Sequence, residues 1–173
     1  VNRLAAAGLC AALVGSIALA NWMTSHYGLV SAGFGLMVTA GTYAAGLSLG
    51  LRDALHESGG YRWVLAAIAA GIALSALLGD GRIALASAVA FGVAELADLL
   101  VYVPLRRRNW RTAVAASNAV GAVADTFLFL TIAGFPLTVQ SVGGQLLVKS
   151  VWMTLLALAV GEVIARTARK ARA

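Results

Sequence analysis

Glu95, Asp98, Asn118, Asp125 and Lys149 stand out because the residues around them are apolar. Three carboxylates, an amide and an ammonium can carry a proton, pair with one another or grip a polar ligand. Inside an apolar helix in lipid, an ionisable group costs about 2.5–3.5 kcal/mol, so each must face protein or water. Glu95 and Asp98 are three residues apart, and Asn118 and Asp125 seven apart, so each pair shares a helix face. Counting inward from helix ends near Pro104 and Thr112 at about 1.5 Å per residue, Asp98 and Asn118 lie roughly 9 Å deep, Glu95 about 13 Å and Asp125 about 20 Å. Lys149 enters from the other side and reaches a level near Asp125. The expectation is a polar ladder, with Asp98 beside Asn118 at one end and Asp125 near Lys149 at the other. Such a ladder can glue a bundle together, or it can be a substrate or proton site, which intramembrane acids mark by default. Three acids around one internal base favour the second use. Glu162, followed by Arg166 at i+4, reads as an ordinary surface pair.

The elements that must position these groups follow from composition. Hydrophobic residues make up 61% of the 173 and charged residues 12%, against roughly 45–50% and about 25% in a soluble domain. One soluble core cannot bury that much apolar surface. Lipid can receive it, because a helix satisfies its own backbone and exposes only side chains. Apolar runs long enough to cross a bilayer, which takes about 20 residues, cover 4–22, 30–51, 63–78, 83–103, 112–133 and 144–165. The fold expected is therefore an all-α polytopic membrane protein of six transmembrane helices in a single domain. The third run is short and should borrow residues from its flanks. The second carries Gly33, Gly35, Gly41, Gly46 and Gly50. It should be interrupted near Gly41 to Gly46 and line the site there, with the Thr42 hydroxyl available to a ligand. Gly46-x-x-x-Gly50, Ser117-x-x-x-Gly121 and Ala7-x-x-x-Ala11 have the small-residue spacing that lets helices approach closely, first within the bundle and second toward a partner.

Orientation follows from the basic residues. Arg3, Arg52, Arg62, Arg106, Arg107, Arg108, Arg111, Arg166, Arg169, Lys170 and Arg172 fall on one side of the expected spans, and Arg82 alone on the other. The positive-inside bias places the first side, with both termini and the second and fourth loops, in the cytoplasm, and the chain in the inner membrane. Arg3, the apolar run after it and Ala18-Leu19-Ala20 imitate a secretory signal, but five further apolar runs make this the first span.

Several function classes lose support. A net charge of +6 and a pI near 10.3 would suggest nucleic acid in a soluble protein, but here the cations sit in loops. The single Cys10 excludes an internal disulfide and reads as a small buried hydrophobe. His26 and His56 fall on opposite sides of the membrane and cannot share a metal. No phosphate-binding loop, His-Glu-x-x-His helix or Gly-x-Ser-x-Gly elbow occurs. Neither an enzyme nor a cofactor is expected. Any energy for transport must come from a gradient or a partner.

Taken in order, Ala20-Asn21, Ala40-Gly41-Thr42, Asp53-x-x-x-Glu57, Glu95-Leu-Ala-Asp98, Trp110-Arg111, Ser117-Asn118, Asp125-Thr126 and Lys149 resemble the vitamin uptake transporter family, also called queuosine precursor transporters. Members commonly carry Gln where Glu95 and Ala122 stand. The resemblance implies a six-helix fold related to the substrate-binding subunits of energy-coupling-factor transporters. It also implies uptake of a 7-deazaguanine such as 7-cyano- or 7-aminomethyl-7-deazaguanine. Asn21, Thr42, Glu95, Asp98, Asn118, Asp125 and Lys149 are then the expected substrate-binding residues. Asp53 and Glu57 are candidates for a cytoplasmic gate or coupling group. The alternatives are a binding subunit energised by a separate complex and a non-transporting membrane scaffold, and the partner candidates are copies of the chain or an energising complex.

Overall fold

The computed structural model describes residues 3–78, 80–153 and 155, without the side chains of Arg3, Ala5, Leu49, Asp53, Glu57, Asp98, Leu99, Arg106, Trp110, Trp152 and Met153. Its elements in chain order are α1 (Arg3–Tyr27), β1 (Leu29–Gly33), β2 (Leu36–Thr39), α2 (Thr42–Gly59), α3 (Tyr61–Leu78), α4 (Gly81–Arg106), α5 (Trp110–Ala133) and α6 (Val139–Leu147). α6 continues directly into a π-helical segment, Val148–Met153. Among the described residues, α1, α3, α4 and α5 contain stretches long and apolar enough to cross a membrane: Ala6–Tyr27, Tyr61–Leu78, Gly81–Leu105 and Arg111–Ala133. The molecule is a helical membrane protein.

Local chemistry sets the helix ends. Asp80 accepts from the backbone N–H of Arg82 at 2.7 Å and so starts α4. Asn109 accepts from the N–H groups of Arg111 and Thr112 and starts α5. α4 and α5 are thus joined by a turn of three residues and pack against each other as an antiparallel pair. Gly134 closes α5 at φ 80°, a left-handed conformation suited to glycine. The Arg82 Nε–H donates to the Ile132 carbonyl at 2.8 Å and satisfies one of the last carbonyls of α5. Thr138 and Ser141 form a reciprocal capping box that starts α6.

α1 packs against α2 and α3 through Ala6, Leu13, Leu55, Val64 and Ala67, with Cys10 and Ile17 partly buried around them. A Cβ on Gly71 would sit 2.9 Å from Ile17, so glycine sets how closely α3 meets α1. Ile83, Ala86, Ala90, Phe129 and Leu130 form a second cluster between α4 and α5. Of the small-residue motifs, Ser117 and Gly121 are buried, whereas Ala7 and Ala11 are exposed and a Cβ on Gly50 would meet nothing within 4 Å.

The run at 30–51 departs from expectation. Its first part is an antiparallel hairpin, with Leu29 opposite Thr39, Val30 opposite Val38 and Ser31 opposite Met37. The tip passes through Gly33, Phe34 and Gly35, all at positive φ, which no helix accommodates. The break therefore falls before Thr42, while Gly46 and Gly50 lie inside an unbroken α2. The 53–62 connection is likewise shorter than expected. α2 runs to Gly59 and only Gly60 separates it from α3, so Asp53 and Glu57 belong to a helix backbone rather than a loop. The sixth run begins five residues early, at Val139, and its second half, together with Glu162 and the basic residues from Arg166 onward, lies outside the described residues.

Candidate functional site

Lys149 is 5% exposed, in the π-helical segment. A lysine cannot be buried charged without a counter-charge and hydrogen-bond acceptors. Its Nζ donates to Asp125 Oδ2 at 2.5 Å and lies 3.4 Å from the Thr126 hydroxyl, both on α5. The pair is unequal: the Lys149 side chain keeps 5% of its surface open and that of Asp125 keeps 26%. The carboxylate thus retains a face for a further donor while the ammonium is enclosed.

Glu95 on α4 is paired with Arg52 on α2 through Oε1 and Nη1. Here both side chains are partly open, 20% for Arg52 and 32% for Glu95. In the sequence Arg52 counts only among the basic residues at the cytoplasmic span ends. Once the hairpin takes up residues 29–39, α2 starts at Thr42 and Arg52 falls well within it, so the signal that would have found the pair was the break before Thr42.

Thr42 opens α2 and belongs to a buried polar ring. Its hydroxyl donates to Gln145 Oε1 at 2.9 Å, Gln145 Nε2 donates to Thr39 Oγ1 at 2.7 Å, and the two threonine hydroxyls lie 2.9 Å apart. The ring joins β2, α2 and α6. Gln145 and Thr39 were missed from sequence because neither interrupts an otherwise apolar run as a charge does. Asn21 lies elsewhere: its Nδ2 donates to the Ser75 hydroxyl at 2.9 Å, linking α1 to α3, and the residue is 4% exposed. Nearby, Thr24 Oγ1 accepts from the Gly41 N–H at 3.1 Å, and a Cβ on Gly41 would fall 1.9 Å from the Ala20 carbonyl.

Of the expected ladder, the structure brings Asp125 to Lys149. Asn118 is half-buried on the same helix. The side chains of Asp98, Asp53 and Glu57 lie outside the described residues, as does the expected contact of Asp98 with Asn118. Among the described residues, no cluster of three His, Cys, Asp or Glu is arranged to hold a metal.

Glu95, Asp125 and Lys149 fall within residues 73–164, which match the family model described as "Putative vitamin uptake transporter". "Probable queuosine precursor transporter" of Haemophilus influenzae is 43% identical over 53 residues, which is 30% of this chain and 23% of that protein. The aligned stretch thus spans under a quarter of that relative. No solved structure matches the chain. A model that covers just over half of the sequence, including every acid and base of the intramembrane set from Glu95 to Lys149, fixes the assignment: the chain belongs to the vitamin uptake transporter family.

Proposed function

We propose that this chain is a carrier in the inner membrane that takes up a small planar heterocycle of the queuosine-precursor class, such as 7-cyano- or 7-aminomethyl-7-deazaguanine. The observation that carries the reading is the Lys149–Asp125 pair, with an enclosed ammonium and a carboxylate still partly open. A guanine-like edge presents adjacent N–H donors beside a carbonyl. The open face of the Asp125 carboxylate accepts from those donors, while the enclosed ammonium holds the carboxylate in place. In the absence of ligand the two groups satisfy each other, which keeps the buried lysine from being an uncompensated charge. The name of the Haemophilus relative supports the substrate class.

Glu95, Asp98 and Asn118 are the further candidates for the ligand on α4 and α5, and Thr42 and Asn21, which the structure pairs with Gln145 and Ser75, are the candidates from the first half of the chain. Six crossings form one transport domain, with the Arg106–Arg111 turn in the cytoplasm and the hairpin outside. Asp53 and Glu57, near the cytoplasmic end of α2, gate or couple the inward step. Uptake of 7-cyano-7-deazaguanine into proteoliposomes containing only the purified chain tests the proposal. Accumulation above protein-free vesicles, competed by 7-aminomethyl-7-deazaguanine, is the expected result. No uptake and no binding of deazaguanines, purines or vitamins by folded protein would overturn it.

A further inference from the structure

The hairpin and α6 meet in a seam with two fixed points. At one, Gln145 is fully buried and uses both ends of its amide, accepting from Thr42 and donating to Thr39. An amide held at both ends is fixed in position, with one bond made by its oxygen and one by its nitrogen. At the other, Gly144 lies so close to β2 that a Cβ would stand 1.9 Å from the Met37 carbonyl oxygen. α6 can therefore neither turn nor slide against the hairpin without breaking hydrogen bonds or colliding with backbone.

Lys149 follows Gln145 by four residues, the spacing of one helical face. Between them the regular helix ends at Leu147 and the π-helix begins at Val148. A π turn changes the rotation per residue, so the direction in which Lys149 leaves the backbone depends on where the wider winding starts. Such turns are rare and occur frequently at functional sites. Here the π turn delivers Lys149 Nζ to within 2.5 Å of Asp125.

We propose that Gln145 is a positioning residue: clamped by Thr39 and Thr42, it sets the rotation of α6 so that the π-helical turn presents Lys149 to Asp125, and it thereby ties the hairpin to the ion pair. Release of the hairpin from α6 frees Gln145 and loosens the pair in the same step. The bearing on uptake rests on the carrier reading above. The coupling between Gln145 and the ion pair does not.

The test is a ligand-free cycle of melting temperatures in detergent. Asp125→Asn, Lys149→Met and the double variant are measured in the natural chain and again with Gln145→Met. This substitution keeps the side-chain length and leaves the two threonine hydroxyls to bond each other. Non-additivity between positions 125 and 149 should fall by at least half in the Gln145→Met background. Equal non-additivity in both backgrounds overturns the proposal. If Gln145→Met does not yield folded protein, Thr39→Val breaks the same ring from the hairpin side and is judged by the same criterion. A second measurement, the Kd for 7-cyano-7-deazaguanine, should rise about tenfold in Gln145→Met. A Kd within twofold of the natural chain would overturn the link from Gln145 to the ligand. Failure of the natural chain to bind would instead sink the carrier reading, while the cycle still decides the positioning role.

Discussion

The Lys149–Asp125 and Arg52–Glu95 pairs are made of the same chemistry but set in different surroundings. Lys149 is nearly enclosed and reaches its partner from a π-helical turn, whereas Arg52 and Glu95 are both partly open and join two regular helices. Enclosure raises the cost of losing a partner, because the remaining charge has no water to fall back on. Openness lowers it, since solvent or headgroups can take the place of the missing ion. The difference teaches that ion pairs on the helices of one molecule need not carry equal weight. The one built with unusual winding and burial is where function should be sought.

The sharpest way to break this comparison is to remove one partner from each pair. Asp125→Asn leaves the enclosed Lys149 without its counter-charge and should lower stability by about 3–5 kcal/mol and abolish uptake. Asp125→Asn combined with Lys149→Met should recover most of that stability but not the uptake, as read by melting temperature and proteoliposome assay. Equal losses from Asp125→Asn and Glu95→Gln, which leave Lys149 and Arg52 without their carboxylates, would erase the distinction. Glu95→Gln should cost about 1 kcal/mol or less and leave uptake within a few-fold, because the pair is partly open and an amide still accepts from Arg52.

Glycines sharpen the contrast between the hairpin seam and the outer faces of the helices. Gly144→Ala should destabilise by about 1–3 kcal/mol, because its Cβ has no room against the Met37 carbonyl. Gly50→Ala, whose Cβ meets nothing within 4 Å, should stabilise α2 by about 0.5–1 kcal/mol. Thermal melts of the two variants side by side check both signs. Orientation is tested with least disturbance by single cysteines in a Cys10→Ala chain. A cysteine at Arg107 should label only from the cytoplasmic side and one at Gln140 only from outside.

Much of this molecule could be read in advance, and for identifiable reasons. α3, α4 and α5 announce themselves as apolar runs bounded by Asp80, Asn109 and Gly134, where capping chemistry and hydropathy agree. Asp125 meeting Lys149 followed from depth alone, because helix rise converts residue counts into height. Depth says nothing about rotation, however, so Arg52 as the partner of Glu95 could not be found that way. The hairpin was hidden for a different reason. Leu29 to Thr39 is as apolar as a span, and hydropathy does not distinguish a strand buried against α6 from a helix in lipid. Only Gly33 and Gly35 around Phe34 pointed to a turn. The ring of Thr39, Thr42 and Gln145 depends on that hairpin, so it was out of reach until the hairpin was placed.

The central claim is that the Lys149–Asp125 pair holds a deazaguanine edge, and calorimetric titration of the purified chain with 7-cyano-7-deazaguanine, beside Asp125→Asn, tests it most directly. The amide replaces one acceptor oxygen with a donor and leaves a mismatch against the ligand's N–H groups, which should weaken binding by roughly one to two orders of magnitude. The variant's melting temperature is measured on the same preparation, so that loss of fold is not mistaken for loss of site. Binding by the natural chain that falls at least tenfold in folded Asp125→Asn is the predicted result. Unchanged affinity in a variant with a lowered melting temperature would show the pair to be structural and contradict the assignment.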